Sequence, residues 1–247
     1  MKKSMVLSAL ILVIATITFV GTTIAYFSDT KQSANTFTSG NVEIVMTESA
    51  VKPDAIGNLV ADPSKPRIEG TPVGVLNDYG KIYPGQSVCK DPIVKNIGSE
   101  NAWIAVKVTL TDGMGDLRKV IGYNPDVTDL VDIELLLSGG LLDERVHVGM
   151  WNGLHDVCYN DRYAMVQVPT ASKDVYEFYF FMLAPLSTGE TVNVFDSLTV
   201  PAEWDNLEMK ELSELKIEVT AYAVQTFGFD SCYLAMTTAF QSEFQFN

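Results

Sequence analysis

Between Asn101 and Leu110 the apolar side chains fall on every second residue. Ile104, Val106, Val108 and Leu110 share one face; Ala105, Lys107 and Thr109 share the other. A period of two is the geometry of a strand, whose successive side chains leave on opposite faces, so this stretch reads as a strand with one face buried. The same alternation recurs at Val42, Ile44 and Met46, at Ala164, Val166 and Val168, at Val192 and Val194, and at Leu215, Ile217, Val219, Ala221 and Ala223. Residues 175–183 differ, because Tyr176, Phe178, Phe180 and Met182 stand against Val175, Tyr179, Phe181 and Leu183. A strand apolar on both faces has to be covered on both sides.

Turn chemistry separates these runs. Tyr83-Pro84-Gly85-Gln86 places Pro where φ is preset and Gly where a type II turn needs φ above zero. Asn96-Ile97-Gly98-Ser99 and Ser187-Thr188-Gly189-Glu190 are further tight connections. Many short strands divided by such turns predict an all-β chain, an antiparallel β-sandwich. Two stretches interrupt the rhythm: residues 48–80, an irregular excursion rich in Pro, Gly, Asp and Asn, and residues 112–162, a mixed insertion in which 126–137 suits a short helix. A last helical segment is expected near 230–240, capped by Asp230 or Ser231. No internal repeat and no low-complexity tract is present.

The first 25 residues have the pattern of an export signal. Lys2 and Lys3 precede an apolar run from Met5 to Val20, and Thr23 and Ala25 supply the small side chains that a signal peptidase requires. Cleavage is expected between Ala25 and Tyr26; the alternative is an uncleaved anchor, since Met5 to Ala25 is about the length that spans a bilayer. Residues 1–25 thus read as a signal helix, and 26–247 as one domain around a single core. Formal net charge is −14, and it becomes two units more negative when Lys2 and Lys3 leave. Such a surface repels phosphates and anionic lipid, so neither nucleic acid nor membrane is an expected partner, except through the uncleaved signal segment. Cys89, Cys158 and Cys232 are an odd number with no CxxC spacing. One bridge with a free thiol, or three buried thiols, both fit.

Catalytic signatures are missing from the sequence. His147 and His155 stand in no HExxH arrangement, and there is no GxSxG elbow or glycine-rich phosphate loop. Asp112-Gly113-Met114-Gly115-Asp116 lacks the further oxygen ligands of a calcium loop and reads as a β-turn. The expectation is a protein that is not an enzyme and takes no cofactor.

Just past the expected cut stand Tyr26-Phe27-Ser28-Asp29-Thr30 and then residues 35–44, Asn-Thr-Phe-Thr-Ser-Gly-Asn-Val-Glu-Ile. Over roughly residues 20–46 this resembles the TasA/camelysin family of exported proteins, whose signal peptides are processed by a SipW-type signal peptidase. Tyr83-Pro84-Gly85-Gln86, Lys90, Asp91, Pro92, Val94, Asn96, Gly98 and Ser99 are similar to the family's turn and paired strands. The likeness fades through 112–165 and returns weakly at 186–201 and 217–229. The resemblance implies a jelly-roll-like sandwich, secretion to the cell surface or a biofilm matrix, and a fibre subunit. Its partners would be other copies of itself or related matrix proteins. It also implies that a freed N-terminal segment carrying Tyr26, Phe27 and Phe37 adds a strand to a neighbour's sheet. Equally, residues 26–47 can form the first strand of their own domain. The metallopeptidase activity ascribed to camelysins is not carried over, because no metal-binding signature is present; a secreted metallopeptidase stays the least favoured alternative. The other is a monomeric binding module that uses Trp151, Tyr159 and Tyr163.

Overall fold

The computed structural model describes residues 28–30, 41–70, 79, 81–111, 137–143, 147–169, 175–211 and 215–246. Its strands follow in the order β1 (Ser28–Thr30), β2 (Ile44–Glu48), β3 (Val51–Pro53), β4 (Leu59–Ala61), β5 (Ile68–Glu69), β6 (Ser87–Cys89), β7 (Ile93–Asn96) and β8 (Ala102–Thr111). Then come β9 (Leu137–Ser138), β10 (His147–Trp151), β11 (Leu154–Tyr159), β12 (Tyr163–Pro169), β13 (Val175–Met182), β14 (Thr191–Asn193), β15 (Ser197–Thr199) and β16 (Lys216–Gln225). A 3-10 turn at Gly140–Asp143, the short α1 (Asn206–Glu211) and α2 (Cys232–Ala239) complete the described chain. The class is all-β, as the alternation predicts. The signal helix, the 126–136 part of the expected short helix and the Asp112–Asp116 turn lie outside the described residues.

The strands form three sheets. A long sheet runs β1-β16-β8-β13-β12-β11-β10, a second runs β14-β7-β2-β5, and a third runs β3-β4-β6-β15-β9. Every pairing is antiparallel except β4 with β6. At the middle of the long sheet β8 is flanked by its two longest partners. It pairs with β16 over ten residues, from Lys216↔Thr111 to Gln225↔Ala102, and with β13 from Val175↔Thr111 to Phe181↔Ala105. Residues 48–80 contribute three short strands, β3 to β5. Residues 112–162 contribute β9 to the third sheet and β10–β11 to the long one, so this stretch extends the sheets instead of standing apart from them.

Both faces of the long sheet are covered. One shares a core with the other two sheets: Ile104, Val106, Val108, Leu110, Phe178 and Phe180 are buried with Ile44, Val94 and Val192 of the second sheet and with Val88, Leu137 and Leu198 of the third. The opposite face, with Trp103, Ala105, Tyr179, Phe181, Tyr222 and Val224, is buried under Cys232, Ala235 and Met236 of α2 and under Phe244. β13 therefore carries apolar residues on both sides because each side has a cover. β8 reads in the sequence as half-buried, yet Ala105 is buried as fully as Ile104, since α2 lies over that half of the strand.

Local chemistry fixes the ends of these elements. Ser231 caps α2, its side chain accepting from the Leu234 amide at 3.2 Å. In the Tyr83–Gln86 turn Gly85 has φ +76°, and the Gln86 amide donates to the Tyr83 carbonyl at 3.0 Å. Buried Asn96 donates to the carbonyls of Glu100 (2.8 Å) and Leu186 (2.9 Å) and accepts from the Gly98 amide (2.9 Å). A side chain at Gly98 would collide with the Asn41 carbonyl, which accounts for glycine in the Asn-x-Gly-Ser motif.

Because Phe180 is fully buried in the core shared by all three sheets, Phe180→Ala should cost about 3–5 kcal/mol. Urea unfolding followed by circular dichroism would register this as a lower midpoint with little change in slope.

Candidate functional site

Ala25 and Tyr26, the expected cleavage pair, and Tyr26, Phe27 and Phe37, the expected strand-donor residues, all lie outside the described residues. What the structure places is the strand beside them. β1 pairs antiparallel with β16 of its own chain, Ser28↔Val224, Asp29↔Ala223 and Thr30↔Tyr222. β16 thus has two unequal sides: ten residues bonded to β8, and three to β1. Among the described residues nothing else pairs with the outer side of Lys216–Ala221. Unpaired strand backbone of this kind is a template for another strand. Lys216 and Glu218 are exposed at its far end, while Val219 and Ala221 turn into the core. The far edge of the long sheet is β10, whose ladder with β11 shifts register between Gly149 and Trp151. Such a bulge bends an edge away from flat pairing.

The aromatic residues of 151–163 pack against the long sheet to different depths. Trp151 lies 5.4 Å from Phe181 and 5.3 Å from Tyr233 between ring centroids, and Tyr163 is fully buried 5.5 Å from Phe180. Tyr159 packs partly buried against the same face as Trp151. Tyr163 is thus part of the core, whereas Trp151 and Tyr159 keep part of their surface in solvent.

A buried polar network, not legible in the sequence, links β2 to the β6–β7 connection. Lys90 Nζ lies 3.0 Å from Glu48 Oε1, both residues buried, and Tyr79 donates its hydroxyl to the same oxygen at 2.7 Å. Glu48 Oε2 is buried and has no hydrogen-bond partner among the described residues. Beside this pair Arg67 donates to Asp91 Oδ2 at 2.7 Å, to the Asp91 carbonyl at 2.6 Å and to the Thr47 carbonyl at 3.1 Å. Asp91 in turn accepts from the Ser49 amide and hydroxyl. The residues come from positions 47 to 91, and no local spacing announces their meeting.

Cys89, Cys158 and Cys232 form no disulfide, and buried Cys232 donates to the Ile104 carbonyl at 3.1 Å. Burial, then the charges of Asp91 and Glu48, push the Cys89 thiol up to about 11, so it stays protonated at neutral pH. Burial pushes Cys232 up as well. On the covered outer face burial and the Glu243 carboxylate raise Tyr222 to about 12. His147 and His155 fall in β10 and β11, and among the described residues no group of three or more His, Cys, Asp or Glu is placed to hold a metal ion. No protein-family model, no curated protein and no solved structure matches the chain.

Removing one partner of a buried ion pair strands the other's charge, which usually costs about 3–5 kcal/mol, whereas an apolar pair of similar size is often tolerated. Lys90→Met should therefore destabilise by that amount, and Lys90→Met with Glu48→Leu should recover most of the loss. Urea titration of the single and double variants would measure both.

Proposed function

We propose that this chain is an exported structural protein, a subunit of surface or matrix fibres, built as a jelly-roll-like antiparallel sandwich that joins copies by β-strand addition. The observation that carries the proposal is the outer edge of β16, ten residues long, of which three pair with β1 and to which no other described strand pairs. Each main-chain bond gained along the remaining edge contributes a net of about 1 kcal/mol, and alternate side chains supply selectivity. The resemblance of residues 20–46 to exported fibre proteins, and the core shared by the three sheets, support the same view.

Export comes first in this scheme. A signal peptidase cuts between Ala25 and Tyr26, and the freed end carries Tyr26, Phe27 and Phe37 ahead of the strand. The described pairing of β1 spans three residues, and a pairing of that length contributes few bonds. The same segment can therefore leave its own β16 and lie along that of a neighbour. The partners are other copies or related matrix proteins, and no cofactor or catalytic step is involved.

The test compares the chain beginning at Tyr26 with one beginning at Asn41, each concentrated and examined by electron microscopy and sedimentation. Fibres from the longer form and monomers from the shorter are expected. Monomers from both, or fibres from both, would refute strand donation by this segment.

A further inference from the structure

The strands of the second and third sheets send alternate residues into the shared core. In β2 the inward positions are Ile44, Met46 and Glu48; in β6 and just after it they are Val88 and Lys90. One acid and one base thus occupy places that the alternation reserves for apolar side chains. Glu48 keeps 1% of its surface exposed and Lys90 4%. Charges placed in this way lose their hydration, and pairing offsets the loss only when the remaining lone pairs and protons are satisfied. Here one oxygen is not, because Glu48 Oε2 is without a hydrogen-bond partner among the described residues.

The other oxygen is held from two directions. Lys90 Nζ stands 3.0 Å from Oε1, and Tyr79 donates its hydroxyl to the same atom at 2.7 Å. The Lys90 nitrogen also lies over the Tyr79 ring, 5.6 Å from its centroid. The carboxyl carbon is one C–O bond beyond Oε1, which brings it within reach of the nitrogen. Reacting groups fixed side by side can meet at an effective concentration of about 10⁵ M or more. A buried site also excludes the bulk water that would drive the reverse hydrolysis.

We infer that Glu48 and Lys90 close into an intramolecular amide, a cross-link between β2 and the β6–β7 connection. The reaction balances within the pair. One ammonium proton passes to the carboxylate, leaving an uncharged amine and an uncharged acid. The Nζ lone pair then adds to the carboxyl carbon Cδ, while Tyr79 stabilises the charge developing on Oε1. A second proton follows from Nζ, the Cδ–Oε2 bond breaks, and Oε2 leaves as water. The oxygen that departs is the one without a partner. The amide keeps Oε1 as its carbonyl and removes both buried charges.

The two linked residues are 42 apart, and β3, β4 and β5 lie between them, so that stretch becomes a closed ring. Tying a chain across a loop of this length restricts its unfolded state. The urea comparison of the Lys90 variants applies to freshly folded chain, in which the pair is still open. Formation of the amide does not require the chain to polymerise.

Mass spectrometry of the intact chain is the test. Full-length chain is held folded at neutral pH for several days with its thiols reduced, then denatured and weighed. The expected result is a species one water lighter than the sequence of the chain recovered. Trypsin should then release residues 32–67 joined to 82–95, with Lys90 uncut. Lys90→Arg keeps the charge but lacks the amine, and it should retain its full mass. A parent chain at full mass overturns the bond and leaves an ordinary ion pair. Water loss without the joined peptide, or the same loss in Lys90→Arg, overturns it too. Because the joined peptide is read in the parent, the test holds even where the variant folds poorly.

Discussion

Two-sided burial of one strand sets the terms for everything else in this molecule. β13 carries large apolar side chains on both faces, and its neighbour β8 does so along its first half, so neither is stable with a face in water. Each buried aromatic or aliphatic side chain contributes about 1.5–3 kcal/mol when removed from water. The chain meets that demand with two different covers. On one side the second and third sheets supply Ile44, Val94, Val192, Val88 and Leu198. On the other, α2 and the aromatic tail close over Trp103, Phe181 and Tyr222, with Phe244 5.0 Å from the Tyr222 ring.

The covers are themselves pinned by polar contacts that the sheet dictates. Trp103 Nε1 donates to the Phe229 carbonyl at 3.3 Å, and the Tyr179 hydroxyl donates to the Glu243 carbonyl at 3.1 Å, so the central strands hold the tail at both ends. Lys107, on the same face, reaches Glu177 of the adjacent strand at 2.7 Å. On the opposite side Lys90 with Glu48, and Arg67 with Asp91, join β2 to the segment that leads from β6 into β7. Buried ion pairs of this sort fix arrangement more than they add stability. With its middle locked, the long sheet has at one margin an edge of β16 that β1 covers only in part among the described residues. The function proposed for the chain is located at that margin.

Much of this was legible from the residues and some was not. Strict alternation marked β8, β12 and β16, because a strand with one apolar face has a period that nothing else imitates. The doubled apolar faces of 175–183 marked β13 as covered on both sides, and Ser231 stood where a cap should be. Alternation said nothing of the short strands of residues 48–80: Val51–Pro53, Leu59–Ala61 and Ile68–Glu69 are too brief to show a period and sit among Pro, Gly and Asp. The lysine and glutamate of the buried pair are 42 residues apart, and as sequence each is an ordinary surface charge. For the candidate site, residues Tyr26, Phe27 and Phe37 could be singled out by their position after the leader. The edge that would receive them emerged only from the unequal pairing of β16.

The account stands or falls on β8 and β13 being the most deeply secured part of the molecule, and native-state hydrogen exchange read by mass spectrometry addresses that directly. Amides of β8 and β13 should exchange only at the rate set by global unfolding, with those of β10 and β1 opening far sooner. If β8 amides exchange as fast as those at the sheet margins, the doubly covered ladder is not what holds the fold together.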